Sequence, residues 1–257
     1  MDAQTIAILQ DVNDAFYRER AASFDATRRD PWPGWARCLE MVGVPPAEPR
    51  VLDVGCGNLR FERYLAARDA WRDASVVAID ACESLVHRGD GELPPTRLVV
   101  ADALDLLACT NPLGELGENP FDLVVCFGLM HHVPGRELRR QLLGGMLAAA
   151  RPGGAACVSL WQFARDERLG AKARADHARL LPRLADVQSL DPAQLDPGDY
   201  LLGWQGDQNA VRYCHSFDDA DVADLVGHAA SCGAHLVDDF ASDGRPGNLN
   251  RYLVFTA

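Results

Sequence analysis

The residues best suited to chemistry surround a glycine-containing turn. An apolar run that starts at Val51 ends in two glycines, Gly55 and Gly57, and an amphipathic stretch follows them. This pattern predicts a strand, a tight turn and a helix. Glycine lacks the Cβ atom that would hold a ligand away from the backbone, and the first N–H groups of a helix have no partner within it. The turn is therefore predicted to bind a polar ligand.

Acidic residues accompany this strand and the next two predicted strands. Asp53 lies two residues before the first glycine, Asp80 ends an apolar run over residues 75–80, and Asp102 follows another over residues 96–101. In an open α/β sheet, ligands bind beyond the carboxyl ends of the strands, so these three carboxylates can converge on one crevice. A carboxylate that ends the second strand is well placed to hold the diol of a ribose.

The form of the turn favours one nucleotide cofactor over another. Dinucleotide-binding turns usually carry a third glycine, which allows close packing of the helix under a pyrophosphate, and Arg60 occupies that place here. The Asp-x-Gly-x-Gly pattern therefore favours S-adenosylmethionine over NAD. The predicted cofactor-binding residues come from the turn and from the ends of the first four strands: Asp53, Gly55, Cys56, Gly57, Asp80, Ala81, Asp102, Ala103 and Phe127.

Two adjacent histidines follow the fourth strand, which is predicted over residues 121–127. Neighbouring side chains cannot both point the same way. One of His131 and His132 is therefore expected to face the crevice, while the other packs inside or bonds to the backbone. A purely structural pair is an equally good interpretation at this point. Arg28, in a segment dense in proline and tryptophan, is a further candidate, because a guanidinium fork suits the recognition of an anion.

Hydrophobic periodicity predicts the elements that position these residues. Helices are expected over residues 3–24, 58–68, 136–150 and 218–230, and strands near residues 51–55, 75–80, 96–101, 121–127, 155–161, 234–240 and 251–256. This alternation indicates an α/β fold in one domain over residues 1–257, a doubly wound seven-stranded mostly parallel sheet with an antiparallel C-terminal strand. Residues 1–45 would form an N-terminal helical cap and residues 162–215 an insertion or lid after strand five. Ser216 is the predicted cap of the last helix.

The formal net charge of −12 argues against a broad basic surface, so any contact with nucleic acid must be local. One candidate surface is a helix over residues 165–181. On such a helix four basic residues would form a stripe able to contact phosphates: Arg165, Arg168, Lys172 and Arg179. An ordinary solvated face is the alternative interpretation.

Cysteine usage and hydropathy bound the compartment and the metal content. The eight cysteines are scattered without a Cys-x-x-Cys pair, which predicts free thiols and no metal site. No apolar run approaches the roughly 20 residues that span a bilayer, and the N-terminus lacks the basic and apolar regions of a signal peptide. These features predict a cytoplasmic protein that has no membrane partner.

The order of motifs between about residues 50 and 160 resembles that of the class I S-adenosylmethionine-dependent methyltransferases. It comprises Asp-Val-Gly-Cys-Gly-Asn at 53–58, an acid at 80, Ala-Asp at 101–102, Phe-Asp-Leu-Val-Val at 121–125 and Arg-Pro-Gly-Gly at 151–154. The resemblance implies the class I methyltransferase fold, S-adenosylmethionine as the cofactor and methyl transfer as the reaction.

A narrower resemblance runs through the flanks of this region. Its most telling parts are Thr-Arg-x-x-Pro-Trp-Pro at 27–33 and Arg-Tyr-Cys-His at 212–215, and further matches are Asn13, Phe16, Tyr17, Ala22, Phe24, His131, His132 and Trp204. Together they look like the tRNA wobble-uridine carboxymethyl methyltransferases, which esterify the carboxylate of 5-carboxymethyluridine. Leu59 departs from this family, which usually has a glycine there, and so does the arginine-bearing segment 162–199.

The narrower resemblance implies an acceptor and a set of residues that serve it. Arg28, His131, Arg212 and His215 would be catalytic, with an arginine fixing one carboxylate oxygen and a histidine orienting the acid or a bridging water. The partner would be tRNA, and a small activator protein is a candidate partner because the eukaryotic members work with one. The alternatives are a small-molecule O- or N-methyltransferase, which the acidic composition favours, and a non-catalytic cofactor-binding subunit.

Overall fold

The computed structural model describes residues 1–86 and 91–257. Its helices are α1 (Ala3–Asp25), α2 (Pro33–Val42), α3 (Arg60–Ala66), α4 (Ala103–Leu107), α5 (Pro112–Leu116), α6 (Arg136–Ala149), α7 (Glu167–Gln188) and α8 (Asp219–Ser231). Its strands are β1 (Arg50–Val54), β2 (Ser75–Asp80), β3 (Thr96–Val100), β4 (Phe121–Phe127), β5 (Ala150–Trp161), β6 (Asp199–Trp204), β7 (Asp207–His215), β8 (His235–Ser242) and β9 (Asn250–Thr256). In this part of the chain no helix has the length and apolar character needed to cross a membrane.

Seven strands form one sheet in the order β3-β2-β1-β4-β5-β9-β8, and β6 pairs with β7 in a separate antiparallel hairpin. Strands β1 to β5 are parallel, whereas β9 is antiparallel to both of its neighbours. The doubly wound sheet predicted from the sequence is thus confirmed, with its antiparallel strand one place in from the edge. The strand order reverses between β1 and β4, and such a reversal opens a crevice at the carboxyl ends of the strands.

Helices cover both faces of the sheet, which explains why its central strands are almost continuously apolar. One face packs against α4, α5, α6 and α8 through a core that includes Leu52 and Val124. The other face packs against α2 and α3 through a core that includes Trp35 and Val125. Burial on both faces fixes the strands, so their carboxyl ends form a rigid edge for the crevice.

The N-terminal helix and the insertion after β5 pack against each other. The β6–β7 hairpin contacts both α1 and α7. Side chains of these elements and Leu190, which follows α7, form a separate core: Leu9, Val12, Leu180, Leu184, Leu190, Leu201 and Tyr213. The side chain of Asn13 joins this body to the segment after β4. Its Oδ1 accepts the N–H of Tyr213 at 2.8 Å, and its Nδ2 donates to the carbonyl oxygen of His132 at 3.3 Å.

The predicted cap of the last helix is wrong. The carboxylate of Asp218 caps α8 by accepting the N–H groups of Ala220 at 2.8 Å and of Asp221 at 3.0 Å. The hydroxyl of Ser216, two residues too early to reach these groups, accepts the N–H of Ala164 instead. An aspartate directly before the first helical residue is also favoured by the helix dipole.

Candidate active site

A cavity of about 820 Å³ opens at the carboxyl ends of β1, β2 and β4, where the strand order reverses. All nine residues predicted to bind the cofactor contribute to its lining. Of the four residues predicted to serve the acceptor, Arg28 and His131 line the cavity, whereas Arg212 and His215 do not. The cofactor residues are therefore brought together as a group, and the acceptor residues only in part.

The glycine turn has the open geometry that its sequence predicts. Gly57 has a φ of +55°, and a Cβ atom at this position would meet no heavy atom within 4 Å. Gly55 has a φ of +80°, and a Cβ atom there would lie 2.7 Å from the Cβ of Leu129. The first glycine thus allows close packing, and the second leaves space beside the turn for a ligand.

Leu59 keeps the left-handed conformation that glycine adopts freely. Its φ is +59°, a conformation that costs an ordinary residue about 1–2 kcal/mol. The side chain of Leu59 is fully buried, and burial of a leucine contributes about 1.5–3 kcal/mol, which offsets the strain. The turn is therefore kept although the glycine usual in the resembled family is absent.

Asp80 closes the turn from β2. Its carboxylate oxygens accept the N–H groups of Gly57 and Cys82, both at 2.8 Å. Burial raises the pKa of Asp80, and these two hydrogen bonds oppose the shift. The remaining lone pairs can accept hydrogen bonds from a ribose diol. Asp102 caps α4 by accepting the N–H of Leu104 and also lines the cavity. The open turn and these two carboxylates fit the adenosine part of S-adenosylmethionine.

Two substitutions are expected to impair cofactor binding. Gly57→Val puts a branched side chain with positive φ into the open space beside the turn and should abolish measurable binding of S-adenosylmethionine. Asp80→Ala removes a buried charged acceptor and should weaken binding by about 1–3 kcal/mol, or roughly 5- to 150-fold. Calorimetric titration measures both variants, with NAD as the negative control. Tight binding of NAD, or unchanged affinity in both variants, would reject these assignments.

Arg28 projects from the segment between α1 and α2. Its Cζ atom lies 4.5 Å from the centroid of the Phe24 ring, and its Nη1 donates to the hydroxyl of Thr27 at 3.1 Å. Within the described ranges no carboxylate pairs with it. The Nδ2 of Asn58, in the glycine turn, donates to the carbonyl oxygen of Arg28 at 2.8 Å and to the carboxylate of Asp25 at 2.7 Å. Arg28 is thus held beside the cofactor turn with its charge unpaired.

Arg212, on β7, is a cation enclosed by aromatic rings. Only 6% of the residue is exposed, and its Cζ lies 5.1 Å from the ring centroid of Trp204 and 5.6 Å from those of Phe16 and Trp161. Its Nε has no hydrogen-bond partner, and among residues 1–86 and 91–257 no carboxylate pairs with it. Trp161 lines the cavity and Arg212 does not, so the guanidinium lies behind the wall. Cation–π contacts stabilise it but leave its charge uncompensated.

The structure distinguishes the two adjacent histidines. His132 lies between α1 and β7, with one ring nitrogen 2.6 Å from the hydroxyl of Tyr17 and the other 3.0 Å from the carbonyl oxygen of Tyr213. Burial lowers the pKa of His132 to about 3, so its ring is neutral. The Nδ1 of His131 is buried without a partner, and burial followed by nearby positive charges lowers the pKa of this ring well below its usual range. Both histidines line the cavity, but both ring nitrogens of His132 are held by hydrogen bonds, whereas His131 has a ring nitrogen without a partner.

His131, His132 and Cys214 bring three potential metal-ligand atoms within 4.8 Å of one another. Both ring nitrogens of His132 already take part in hydrogen bonds. The charges of Arg28 and Arg212 also act on these histidines and oppose a further cation. The cluster therefore does not offer three free ligands to a metal ion.

His215 lies away from the cavity, which corrects its predicted place at the acceptor. The ring is fully buried, with Nδ1 2.7 Å from the carboxylate of Asp199 and Nε2 3.1 Å from that of Asp221. Burial disfavours the protonated ring, but the two carboxylates outweigh it and raise the pKa of His215. Side chains three residues apart in a strand point to opposite faces, so Arg212 and His215 cannot both face the cavity. His215 instead links β7 to α8.

The basic stripe predicted along α7 is largely paired with acids. Arg165, which precedes the helix, pairs with Asp219, while Lys172 and Arg179 both pair with Asp176. Paired charges of this kind release few counterions from a nucleic acid. The structure therefore gives the stripe little support as a phosphate-binding surface.

Arg60 and Trp161 are examples of cavity residues that had no binding role in the sequence interpretation. The Cζ of Arg60 lies 5.1 Å from the ring centroid of Trp32 and 5.3 Å from that of Trp35, and burial lowers the pKa of Arg60 to about 10. Trp161 ends β5. Both residues also line the cavity. The available signal was their position, because the residues after the first turn and at the carboxyl ends of strands are where this type of fold binds ligands.

Two comparisons with known proteins concern the domain and the fold. Residues 52–156 match the family model described as a methyltransferase domain. The solved DhpI–SAH complex has the same fold, with a TM-score of 0.61, 16% sequence identity and coverage of 96% of both chains. The chain therefore contains a region similar to methyltransferase domains and shares its overall fold with the protein of that complex.

Two relatives found by sequence similarity have a named substrate. Over 145 residues the chain is 30% identical to the tRNA (carboxymethyluridine(34)-5-O)-methyltransferase of Saccharomyces cerevisiae, a match that covers 56% of this chain and 46% of that protein. Over 150 residues it is 28% identical to the tRNA (carboxymethyluridine(34)-5-O)-methyltransferase ALKBH8 of Mus musculus, which covers 58% of this chain and 20% of that protein. The chain thus spans less than half the length of these relatives.

Proposed function

We propose that this chain transfers the methyl group of S-adenosylmethionine to the carboxylate of a carboxymethylated wobble uridine in tRNA. The observation that carries the proposal is a pair of arginines, Arg28 and Arg212, that both act on His131 and pair with no carboxylate of the described residues. Burial, together with the charge of Arg212, lowers the pKa of Arg28, so the two cations are close enough to repel each other. Two unpaired cations beside one cavity favour an anionic ligand.

A shortage of acids does not explain these unpaired charges. The chain has 37 acidic residues against 25 lysines and arginines. Arginines elsewhere find acidic partners, as Arg140 does with Asp224 and Arg251 does with Asp239. The absence of such partners at the cavity, within the described part of the chain, therefore supports an acceptor that brings its own negative charge.

The protonation states of the cavity also favour a carboxylate acceptor. A carboxylate needs no general base near neutral pH, because its ordinary pKa is about 4. Alcohols and protonated amines do need one. The lowered pKa values of His131 and His132 make both rings weak bases, and burial raises the pKa of Tyr17, so its hydroxyl stays protonated.

The mechanism then depends on alignment and on the exclusion of water. When bound, the cofactor would supply a methyl group on a sulfonium; in-line displacement would form an oxygen–methyl bond, break the sulfur–methyl bond and leave S-adenosylhomocysteine. Arg28 would hold one carboxylate oxygen with its fork of donors and leave the other oxygen free to attack. His131 would hydrogen-bond the acid or a bridging water. Arg212 would act through its fixed charge from behind Trp161, in a site where a low dielectric strengthens that charge.

The relatives support the choice of acceptor. Both are tRNA (carboxymethyluridine(34)-5-O)-methyltransferases, and their similarity extends over more than half of this chain. The acidic composition is the feature that favours the alternative, a small-molecule O- or N-methyltransferase. A methylation assay separates the two.

Labelled S-adenosylmethionine provides that assay. Transfer RNA from cells that lack this methyltransferase should accept the label, whereas an unmodified transcript of the same tRNA sequence should not. A panel of small carboxylates, alcohols and amines represents the alternative. Label on small molecules with none on tRNA would overturn the proposal. Transfer to tRNA by the chain alone would show that an activator protein is not required.

A further inference from the structure

Glu62, in the first turn of α3, is a buried acid that the proposed function does not use. None of its surface is exposed, and apart from the Asp53 carboxyl no other described residue supplies a hydrogen-bond donor to its buried carboxylate oxygens. Its neighbour is the carboxyl group of Asp53 on β1, which is only 2% exposed. Asp53 lines the cofactor cavity, whereas Glu62 lies behind it. Two ionised carboxylates in such surroundings would be strongly unfavourable.

Within the described ranges no cation forms an ion pair with either carboxyl group, but the charge of Arg60 acts on Asp53 and that of Arg63 acts on Glu62, and both oppose the rise in pKa. The arginines of the same helix donate elsewhere, Arg60 to the carbonyl oxygen of Asp30 at 2.7 Å and Arg63 to that of Asn58 at 2.6 Å. The other titratable groups that act on the pair are Asp80 on β2, Cys56 in the turn and Cys126 on β4. Burial raises the pKa of both thiols, so they stay neutral, and Asp80 adds a further negative charge.

The two acids therefore hold protons that ordinary carboxyl groups would lose. Burial, followed by repulsion from Glu62, raises the pKa of Asp53 well above its usual range, and burial raises the pKa of Glu62 to about 7. Like charges held together in a dry site do not both ionise, and the pair titrates as a unit. A proton between the two carboxyl groups also supplies the hydrogen-bond partner that the Glu62 oxygens lack.

We propose that Glu62 makes cofactor binding proton-linked: it shares a proton with Asp53 in the free protein, and the pair releases this proton when the cationic methionine end of S-adenosylmethionine binds beside Asp53. One carboxyl O–H bond breaks, the proton goes to the buffer, and no other covalent bond changes. A nearby positive charge favours the ionised carboxylate, so the affinity for the cofactor rises with pH. One released proton changes the dissociation constant by at most about tenfold per pH unit.

The stability of the folded protein should fall as the pH rises, whereas the affinity for the cofactor should increase. Because the pKa of each acid is raised in the folded protein, protonation stabilises the fold at low pH. This contribution is lost as the pH rises through the folded pKa of Glu62, about 7. The free protein therefore loses stability in the range in which it gains affinity for the cofactor.

Calorimetric titration of the wild-type protein between about pH 5.5 and 7.0 tests the linkage, since the α-amino group of the cofactor titrates only near about 7.7–8.0. S-adenosylmethionine should bind about tenfold more tightly at the upper pH, and its binding heat should vary between buffers in the way that proton release requires. The control ligand is 5′-methylthioadenosine, which has the same adenosine but no charged end. Its affinity should not change between the two pH values. Equal slopes for both ligands would assign the effect to Asp80 at the ribose and overturn the proposal. A flat profile for S-adenosylmethionine would overturn it as well.

Glu62→Gln and Glu62→Leu test the residue itself. Either change removes the repulsion from Glu62, which is second to burial in raising the pKa of Asp53, so the rise of cofactor affinity with pH should be clearly smaller than in the wild type. Glutamine conserves the shape of the side chain and gives a result if the leucine variant does not fold. The matched control is Glu83→Gln, because Glu83 is an exposed acid of the same cavity. In this variant the affinity for S-adenosylmethionine should rise with pH as steeply as in the wild type. A slope that stays as steep as in the wild type in the Glu62 variants would overturn the proposal.

Discussion

Replacing Arg28 with methionine is expected to lower kcat/KM for a carboxylate acceptor by about 100-fold or more, because removing one partner of a desolvated ion pair costs about 3–5 kcal/mol. The dissociation constant for S-adenosylmethionine should change by less than about twofold, because we propose that the Arg28 side chain binds the acceptor and because its contact with the glycine turn is made by the backbone carbonyl, which the substitution keeps. Initial rates of tRNA methylation and calorimetric titration with the cofactor measure the two effects separately.

Arg29→Met is the matched control for this prediction. Arg29 lies in the same segment, is exposed and does not line the cavity. It should therefore keep wild-type kinetics. Arg28→Lys should recover only part of the activity, because an ammonium group keeps the charge but not the planar fork. Equal losses in the Arg28 and Arg29 methionine variants would contradict a specific carboxylate contact.

Arg212→Met should lower activity while making the protein more stable. The loss of activity should exceed about tenfold, because the charge of Arg212 acts on the acceptor site through a wall of low dielectric. Methionine fills similar volume and removes a buried cation without a counter-ion, a type of change that often stabilises by about 1–4 kcal/mol. The melting temperature should therefore rise by about 3 °C or more. Thermal unfolding and methylation rates of the same preparation measure both effects.

Arg139→Met is the control for the effect on stability. Arg139 is 3% exposed, but it pairs with Asp196 and donates to the carbonyl oxygen of Val133 at 3.2 Å. Removing it leaves these groups without their partner, so the melting temperature should fall. A fall of similar size in Arg212→Met would identify Arg212 as an ordinary structural residue and remove the observation on which the acceptor proposal depends.

The sequence predicts which residues at the strand ends line the cavity, because these residues belong to local patterns. Each strand of the parallel sheet is a short apolar run with a polar residue at its end, and the topology of the fold brings these ends together. Asp53, Asp80 and Asp102 could thus be assigned to one crevice from their places in the chain, and all three line it. The glycine turn is equally local, since its geometry depends on positive φ at Gly55 and Gly57.

The acceptor side depends on contacts between distant segments. Arg212 and His215 lie in one motif, but the alternation of β7 turns their side chains to opposite faces. Among the described ion pairs of the stripe near α7, only that of Arg165 with Asp219 depends on distant segments, whereas Lys172 and Arg179 pair with Asp176 of the same helix, at a spacing that the sequence shows. From the sequence alone, Glu62 is indistinguishable from an ordinary polar residue on the surface of a helix. Its burial against Asp53 is visible only when α3 lies on the sheet.

The chemical nature of the product tests the central claim most directly. A methyl ester is cleaved by mild alkali and releases methanol, whereas a methyl group on a base nitrogen or on an ether oxygen of the ribose stays on the nucleoside. The tRNA methylated by this chain with labelled S-adenosylmethionine is therefore treated with mild alkali, and volatile label is counted. We predict that nearly all of the label leaves as methanol and that none is incorporated into tRNA without the carboxymethyl group. Label that stays on the nucleosides after alkali would contradict esterification of a carboxylate.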